Sequence, residues 1–272
     1  MTKTITYQSS TIFYRVTGQG KPVVLLHGFG EDGEIWNAQV EYLKDRFCLI
    51  VPDLPGSGKS AVLPGQPCLP AGRLAVGMEE YADVVKAILT EEKIENCIML
   101  GHSLGGYITL AFAEKYAQHL AAFGLVHSSA FADSEEKKKE RSKSIEFIKN
   151  HGSYAFLKTS IPGLFKGSDG SKPSDPYIAG LIEKGSNFPP EVLIQYYKAM
   201  IARPDRTDIL RYFNGPILFI IGEYDMAVPF QQSLQQCYLP LRSHVHILRN
   251  SAHMGMLEET EKINEILKRF LD

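Results

Sequence analysis

Along the chain, short apolar runs alternate with segments whose apolar positions recur every three or four residues. The runs are "KPVVLLHG", "DRFCLIVPD", "ENCIML", "AAFGLVHSS", "GPILFIIGEYD" and "HVHILRN". Between and after them, "EIWNAQVEYL", "MEEYADVVKAILTEEK", "LGGYITLAFAEKYAQHL", "FQQSLQQCYL" and "EKINEILKRFLD" have helical spacing. Near-continuous apolar strands separated by amphipathic helices predict an α/β fold: a mostly parallel central sheet with helices on both faces and a site at the strands' carboxyl ends. The opening segments "KTITYQ" and "TIFYRVTG" flank a Ser-rich turn and predict a hairpin at a sheet edge. His244 and His246 alternate with Val245 and Ile247, which predicts a polar sheet face.

After Ala130 the alternation stops. "DSEEKKKERSKSIEFIKNHGSYAFLK" is helical in character, with Asp133 and Glu136 suited to cap its first turn and the charge run read as a solvated helix face. "IPGLFKGSDGSKPSDP" is rich in Gly, Ser and Pro, and "PEVLIQYYKAMIARPD" returns to helical spacing. The expected organisation is a core of residues 1–131 and 212–272 interrupted by a helical insertion over 132–211.

Charge narrows the range of partners. With 29 Lys and Arg against 31 Asp and Glu in 272 residues, there is no electrostatic footprint for nucleic acid or an anionic membrane. A small-molecule substrate is expected instead. No signal-peptide pattern or membrane-length apolar run is present, so a cytoplasmic monomer or homodimer is expected. Cys48, Cys68, Cys97 and Cys237 are scattered without a CxxC pair, and Cys48 and Cys97 in apolar runs are expected to be inert.

The chemistry is concentrated in "ENCIMLGHSLGGYITLAFAEKY". Gly101-His102-Ser103-Leu104-Gly105 stands between a strand and a helix, the context of a nucleophile elbow. Such a turn strains the central residue and brings the flanking backbone together, so Gly101 and Gly105 leave the needed room. A serine hydroxyl needs a base, and the base a group to orient it. Asp225 ends the strand "PILFIIGEYD" and His253 lies in the turn after "HVHILRN", so both fall in the order serine, acid, histidine. Glu223 is a rival for the acid but lies nearer the strand. Donors for a developing oxyanion are expected from the amide of Leu104, after the serine, and that of Phe29, in the loop "LLHGFG". His27, His102 and His127 sit beside these loops as candidate pocket residues, with His102 expected to pack beside the turn.

"DLPGSGKS" ends like a phosphate-binding loop, but the first glycine of GxxxxGK[ST] would have to occupy Asp53, and a Pro- and Gly-rich stretch follows instead of a helix. Taken together, "LLHGFG", "DLPGSGKS", "GHSLGG", "GEYD" and "SAHM" resemble, in order, the motifs of the α/β-hydrolase superfamily across nearly the whole chain. That resemblance implies a Ser103-Asp225-His253 serine hydrolase without metal or cofactor, with 132–211 as a helical cap over the nucleophile. It also implies that "DLPGSGKS" is a scaffold turn with Lys59 in solvent. Phe165, Tyr196 and Tyr197 are candidate pocket residues among the cap's Phe156, Leu157, Leu164, Phe165, Phe188, Tyr196, Tyr197 and Met200. A carboxylesterase acting on a small ester is the expected activity. Carbon-carbon bond hydrolysis, lyase chemistry, cofactor-free peroxidation and a non-catalytic ligand receptor are the alternatives on the same framework.

Overall fold

The computed structural model describes residues 1–64, 76–167 and 176–272; Cys68 and most of the Pro- and Gly-rich stretch after "DLPGSGKS" lie outside them. The strands are β1 (Thr2–Tyr7), β2 (Ser10–Thr17), β3 (Lys21–Leu26), β4 (Phe47–Pro52), β5 (Cys97–His102), β6 (Leu120–Val126), β7 (Ile217–Gly222) and β8 (Ser243–Leu248). They form one sheet in the order β1-β2-β4-β3-β5-β6-β7-β8. The hairpin β1-β2 is antiparallel and sits at the edge, β2 pairs antiparallel with β4, and every pairing beyond is parallel. The helices are α1 (Asn37–Leu43), α2 (Met78–Glu91), α3 (Leu104–Tyr116), α4 (Glu135–Ser160), α5 (Pro176–Gly185), α6 (Pro190–Ala202), α7 (Thr207–Tyr212), α8 (Phe230–Gln236), α9 (Gly255–Glu258) and α10 (Thr260–Leu271).

This order places the helices. The crossover from β3 to β4 through α1 runs toward the hairpin, whereas those from β4 to β5 through α2 and from β5 to β6 through α3 run the other way. Right-handed crossovers in opposite directions put their helices on opposite faces. Accordingly α1 packs with α10, and α2 with α3. Strands β5 and β7 are buried at every position, as a doubly covered sheet requires. The direction reverses at β3, so the carboxyl ends of β3 and β5 flank the crevice where such sheets bind ligands.

Helices α4 to α7 occupy the chain between β6 and β7, and α4 packs on α5 and α6. Two local readings change here. Ser134, not Asp133, caps α4 by accepting the amide of Lys137, while Asp133 turns inward to pair with arginines. The charge run is likewise not all solvated, because the Arg141 side chain is only 12 % exposed. Gly152, at φ 80°, breaks α4 into two helical stretches.

At the far edge, His244 meets the ring of Phe270 from α10, while Val245 and Ile247 are exposed. His244 is exposed as well and His246 half-buried, so this edge strand meets solvent on both faces and has no purely polar side. Cys97 is buried and Cys48 half-buried, and burial raises both thiols' pKa.

Phe123 of β6 is fully buried, in contact with Phe213 at 4.9 Å between ring centroids. Phe123→Ala is expected to lower unfolding stability by about 3–5 kcal/mol, read as a shift of the urea midpoint at unchanged m-value.

Candidate active site

Ser103 stands at φ 49°, ψ −113° between β5 and α3. That conformation is costly for a residue with a Cβ, on the order of 1–3 kcal/mol, and persists only where neighbours enforce it. The enforcement is backbone packing. A Cβ on Gly101 would collide with the Gly105 carbonyl, one on Gly105 would lie 2.5 Å from the Leu26 oxygen, and one on Gly106 would strike Ser128. The Ser103 amide bonds the Val126 carbonyl at 3.0 Å, and Ser128 Oγ donates to the Ser103 carbonyl at 2.7 Å. The turn is thereby tied to β6 as well as β5.

Asp225, on the turn after β7, and His253, after β8, meet through a 2.8 Å contact between Asp225 Oδ2 and His253 Nδ1. Asp225 Oδ1 also accepts the amides of Ala227 and Val228, each at 2.9 Å. Burial opposes its charge, but His253 and His127 outweigh that penalty and hold its carboxyl far below the usual carboxylate range. Ser103 and His253 line one cavity of about 150 Å³ with Phe29, Tyr107, Tyr197, Met200 and Leu164. No acceptor among the described residues takes the amide of Phe29 or of Leu104, and Leu104 opens α3, where helix amides lack internal partners. Glu223, the rival acid, is exposed and uses its amide on the Leu248 carbonyl.

The pocket histidines are placed differently from expectation. His27 is fully buried away from the cavity, its Nε2 accepting the Leu54 amide at 2.9 Å, which anchors the "DLPGSGKS" turn. His127 lies behind Asp225, its Nδ1 3.4 Å from Oδ2, and neither ring nitrogen makes a hydrogen bond. Desolvation drives its pKa down to about 4, so it is neutral at neutral pH. Among the described residues, His127, Asp225 and His253 are the one group whose donor atoms converge as a metal site would, and the Asp225–His253 hydrogen bond accounts for that convergence. Phe165 is buried outside the cavity, and the neighbouring Leu164 lines it instead. Tyr196 also turns away: its hydroxyl donates to the Pro55 carbonyl and meets Ser57 Oγ, both at 2.8 Å. Tyr197 does line the cavity, stacked on Phe29 at 4.3 Å. Lys59 is exposed, its ammonium 5.0 Å from the Phe13 ring.

His102 is fully buried within a polar chain that sequence reading missed. Its Nε2 faces the His253 carbonyl at 3.0 Å and must donate, since a carbonyl only accepts; its Nδ1 meets Glu31 Oε2 at 3.0 Å. Glu31 also accepts the Gly28 amide at 2.8 Å. Burial disfavours both charges, yet each offsets the other's penalty: Glu31 titrates below its ordinary value and His102 above. The pair is a buried carboxylate and imidazolium that ties the loop after β3 to the backbone of His253. Glu258 performs a similar task, accepting the amides of Ala252, Met254 and, from the α4–α5 connection, Lys166. The His253 amide in turn bonds the Leu164 carbonyl at 2.9 Å. A second cavity of about 160 Å³ adjoins the first, and a larger one of about 330 Å³ lies between α5 and α1 without touching Ser103.

A strained serine turn at the switch point of such a sheet, facing a histidine-aspartate pair, defines the class: the chain belongs to the α/β-hydrolase superfamily. The family model described as alpha/beta hydrolase fold matches residues 21–152. Pimeloyl-[acyl-carrier protein] methyl ester esterases from Vibrio vulnificus and Vibrio cholerae are similar over nearly their full length. They are 29 % identical over 96 % of this chain and 98 % of the relative, and 25 % identical over 95 % and 97 %. Among solved structures, a thermophilic esterase from Thermogutta terrifontis, determined with malate bound, superposes with a TM-score of 0.88 at 29 % identity, covering 100 % of this chain and 98 % of its own. An esterase from Exiguobacterium antarcticum, at 22 % identity and a TM-score of 0.87 over 100 % and 99 % of the two chains, shares the fold.

The Glu31–His102 pair sets a pH window. His102, raised on folding, adds stability in full below its ordinary value of 6.5 and loses it as pH climbs through the folded value. Glu31, lowered on folding, adds stability in full above its ordinary 4.5 and loses it as pH falls through the folded value. Glu31→Gln is therefore expected to lose about 1.5–3 kcal/mol between pH 5 and 6.5 and less at pH 9, measured by chemical denaturation across pH.

Proposed function

We propose that Ser103, His253 and Asp225 hydrolyse a small carboxylic ester through an acyl-enzyme, with the amides of Phe29 and Leu104 holding the oxyanion. The chain is a serine hydrolase of the carboxylesterase type, the class named by its full-length relatives and by the Thermogutta structure. The observation that carries the assignment of residues is the 2.8 Å bond of Asp225 to His253 Nδ1, which leaves Nε2 of that ring for the cavity it shares with Ser103.

In this reading Asp225 fixes the tautomer, so His253 Nε2 is the basic nitrogen. It takes the Ser103 proton as Oγ attacks the ester carbonyl, and the carbonyl oxygen becomes an anion beside the two amides. His253 then gives that proton to the departing alcohol. Water, deprotonated by the same nitrogen, attacks the acyl-serine, and collapse of the second tetrahedral adduct releases the acid and restores Ser103. The position of Leu104 at the start of α3 adds the helix's positive end to the oxyanion site. Residues 132–211 act as the cap: Leu164, Tyr197 and Met200 from that segment border the cavity. Tyr196 latches α6 onto the "DLPGSGKS" turn through Pro55 and Ser57.

Short aryl esters should be turned over with burst kinetics, and an alkyl fluorophosphonate should label Ser103, located by peptide mass. Ser103→Ala is expected to lower kcat by about 10⁶-fold and Asp225→Asn by about 10⁴-fold with little change in KM. Turnover of aryl esters by Ser103→Ala at the wild-type rate would reject the assignment.

A further inference from the structure

We propose that the substrate carries a carboxylate, received by Arg141 and Lys137 of the cap, so that the ester reaching Ser103 is one end of a short dicarboxylic half-ester. The inference rests on the esterase reading above and adds the substrate class.

The cavity that contains Ser103 and the second one adjoining it share Tyr107, Lys137, Arg141, Ala227 and Val228. They are two ends of one space, with Lys137 and Arg141 at the junction. Those two residues are four apart on α4 and so lie on one helix face. Arg203, 5 % exposed, borders the far end.

Charge along this space is unbalanced. Asp133 is paired with both Arg141, at 2.7 Å, and Arg203, at 2.9 Å, so one buried carboxylate faces two guanidinium groups. Glu31, the other acid bordering the space, is matched by His102. Glu140 reaches Lys137 only at 3.4 Å and from the solvent side, where such a pair holds weakly. Donors are in surplus as well. Asp133 engages Nε and Nη2 of Arg141, and no acceptor among the described residues takes Nη1. The buried Nε of Arg203 likewise has no partner. Aromatic rings back both guanidiniums, Tyr197 at 5.6 Å from Arg141 and Tyr107 at 3.9 Å from Arg203.

A clamp holding α4 to the end of α6 would need one cation for Asp133. Arg203 spends Nη1 on the Met200 carbonyl and Nη2 on the Phe131 carbonyl and Asp133. Its buried Nε is therefore the desolvated donor left over, a penalty unless an acceptor arrives, while Arg141 keeps Nη1 open toward the shared space. The guanidinium fork matches a carboxylate in shape. The available volume limits the rest of the molecule. At about 30 Å³ per water, the end around Ser103, about 150 Å³, and the adjoining end, about 160 Å³, each hold roughly five water volumes. That suits a few carbons between the ester and the acid, not a nucleotide or a long chain.

The test compares monomethyl glutarate and monomethyl adipate with the neutral methyl esters of equal acyl length. For the wild-type protein kcat/KM should favour the half-esters at least tenfold, chiefly through KM, and the preference should shrink as NaCl is raised. Free glutarate should inhibit competitively. In Lys137→Gln and Arg141→Gln the half-ester preference should fall at least fivefold toward unity, with Arg141→Lys retaining part of it. Lys137 is partly exposed, so its variant keeps the test open should Arg141→Gln fail to fold. Neutral esters used as well as half-esters by the wild type, or a preference untouched in both variants, overturns the proposal. So does tighter inhibition by inorganic phosphate than by glutarate. Where Ser103 is labelled by the fluorophosphonate and aryl acetates are cleaved, such a result removes only the carboxylate. Failure of labelling and of all ester turnover removes the esterase reading along with it.

Discussion

The rest of the structure depends on how closely β5, α3 and the end of β3 approach at one turn. With Gly101, Gly105 and Gly106 giving up their side chains, backbone packs on backbone, and Ser103 is held in a conformation that an isolated serine avoids. The cost is offset by hydrogen bonds from the Ser103 amide to Val126 of β6 and to the Ser103 carbonyl from Ser128, just beyond that strand. The same approach sets the loop after β3 beside the first turn of α3, where the Gly105 Cα lies against the Leu26 and His27 carbonyls and Phe29 borders the cavity with Ser103. Position, strain and electrostatics at the site are thus one packing event.

Around that turn, charge is organised in two separate layers. Behind it, Glu31, His102 and the His253 carbonyl form a buried chain running from the β3 loop to the histidine that faces Ser103. Glu258 and the Leu164 carbonyl hold the same histidine's loop from the cap side. His253 is therefore anchored by its backbone on two sides and by its ring through Asp225, beside the cavity it lines with Ser103. In front, the cap contributes Lys137, Arg141 and Arg203 around a single Asp133. The rear layer, Glu31 with His102, is balanced, whereas in the front layer three cationic side chains surround one buried carboxylate.

The legible parts of this chain were those with a short-range signature. Alternating apolar runs and amphipathic stretches set the sheet and its helices, since periodicity follows from which face a residue buries. The edge hairpin, the strand-turn-helix at Ser103 and the chain order of Asp225 and His253 were readable for the same reason. The pocket was not. His27, His102, His127, Phe165 and Tyr196 have the chemistry of pocket residues, yet each is spent elsewhere, on an amide, a carboxylate, a buried recess, the cap's interior or the Pro55 carbonyl. Conversely, Arg141 sat unremarked in a charge run, although its spacing of four from Lys137 was the signal that the two share a helix face.

By itself, then, the sequence determined the architecture and the strained turn at Ser103, because backbone conformation and the order of elements are encoded locally and a few glycines tolerate no substitute. The tertiary structure alone decided which polar side chains are matched and which are left over. Glu31 finds His102 across 71 positions and Asp133 finds Arg203 across 70, contacts that no local pattern announces. An ionisable group's state depends on the charges and solvent within a few ångströms of it, and folding is what brings those neighbours there.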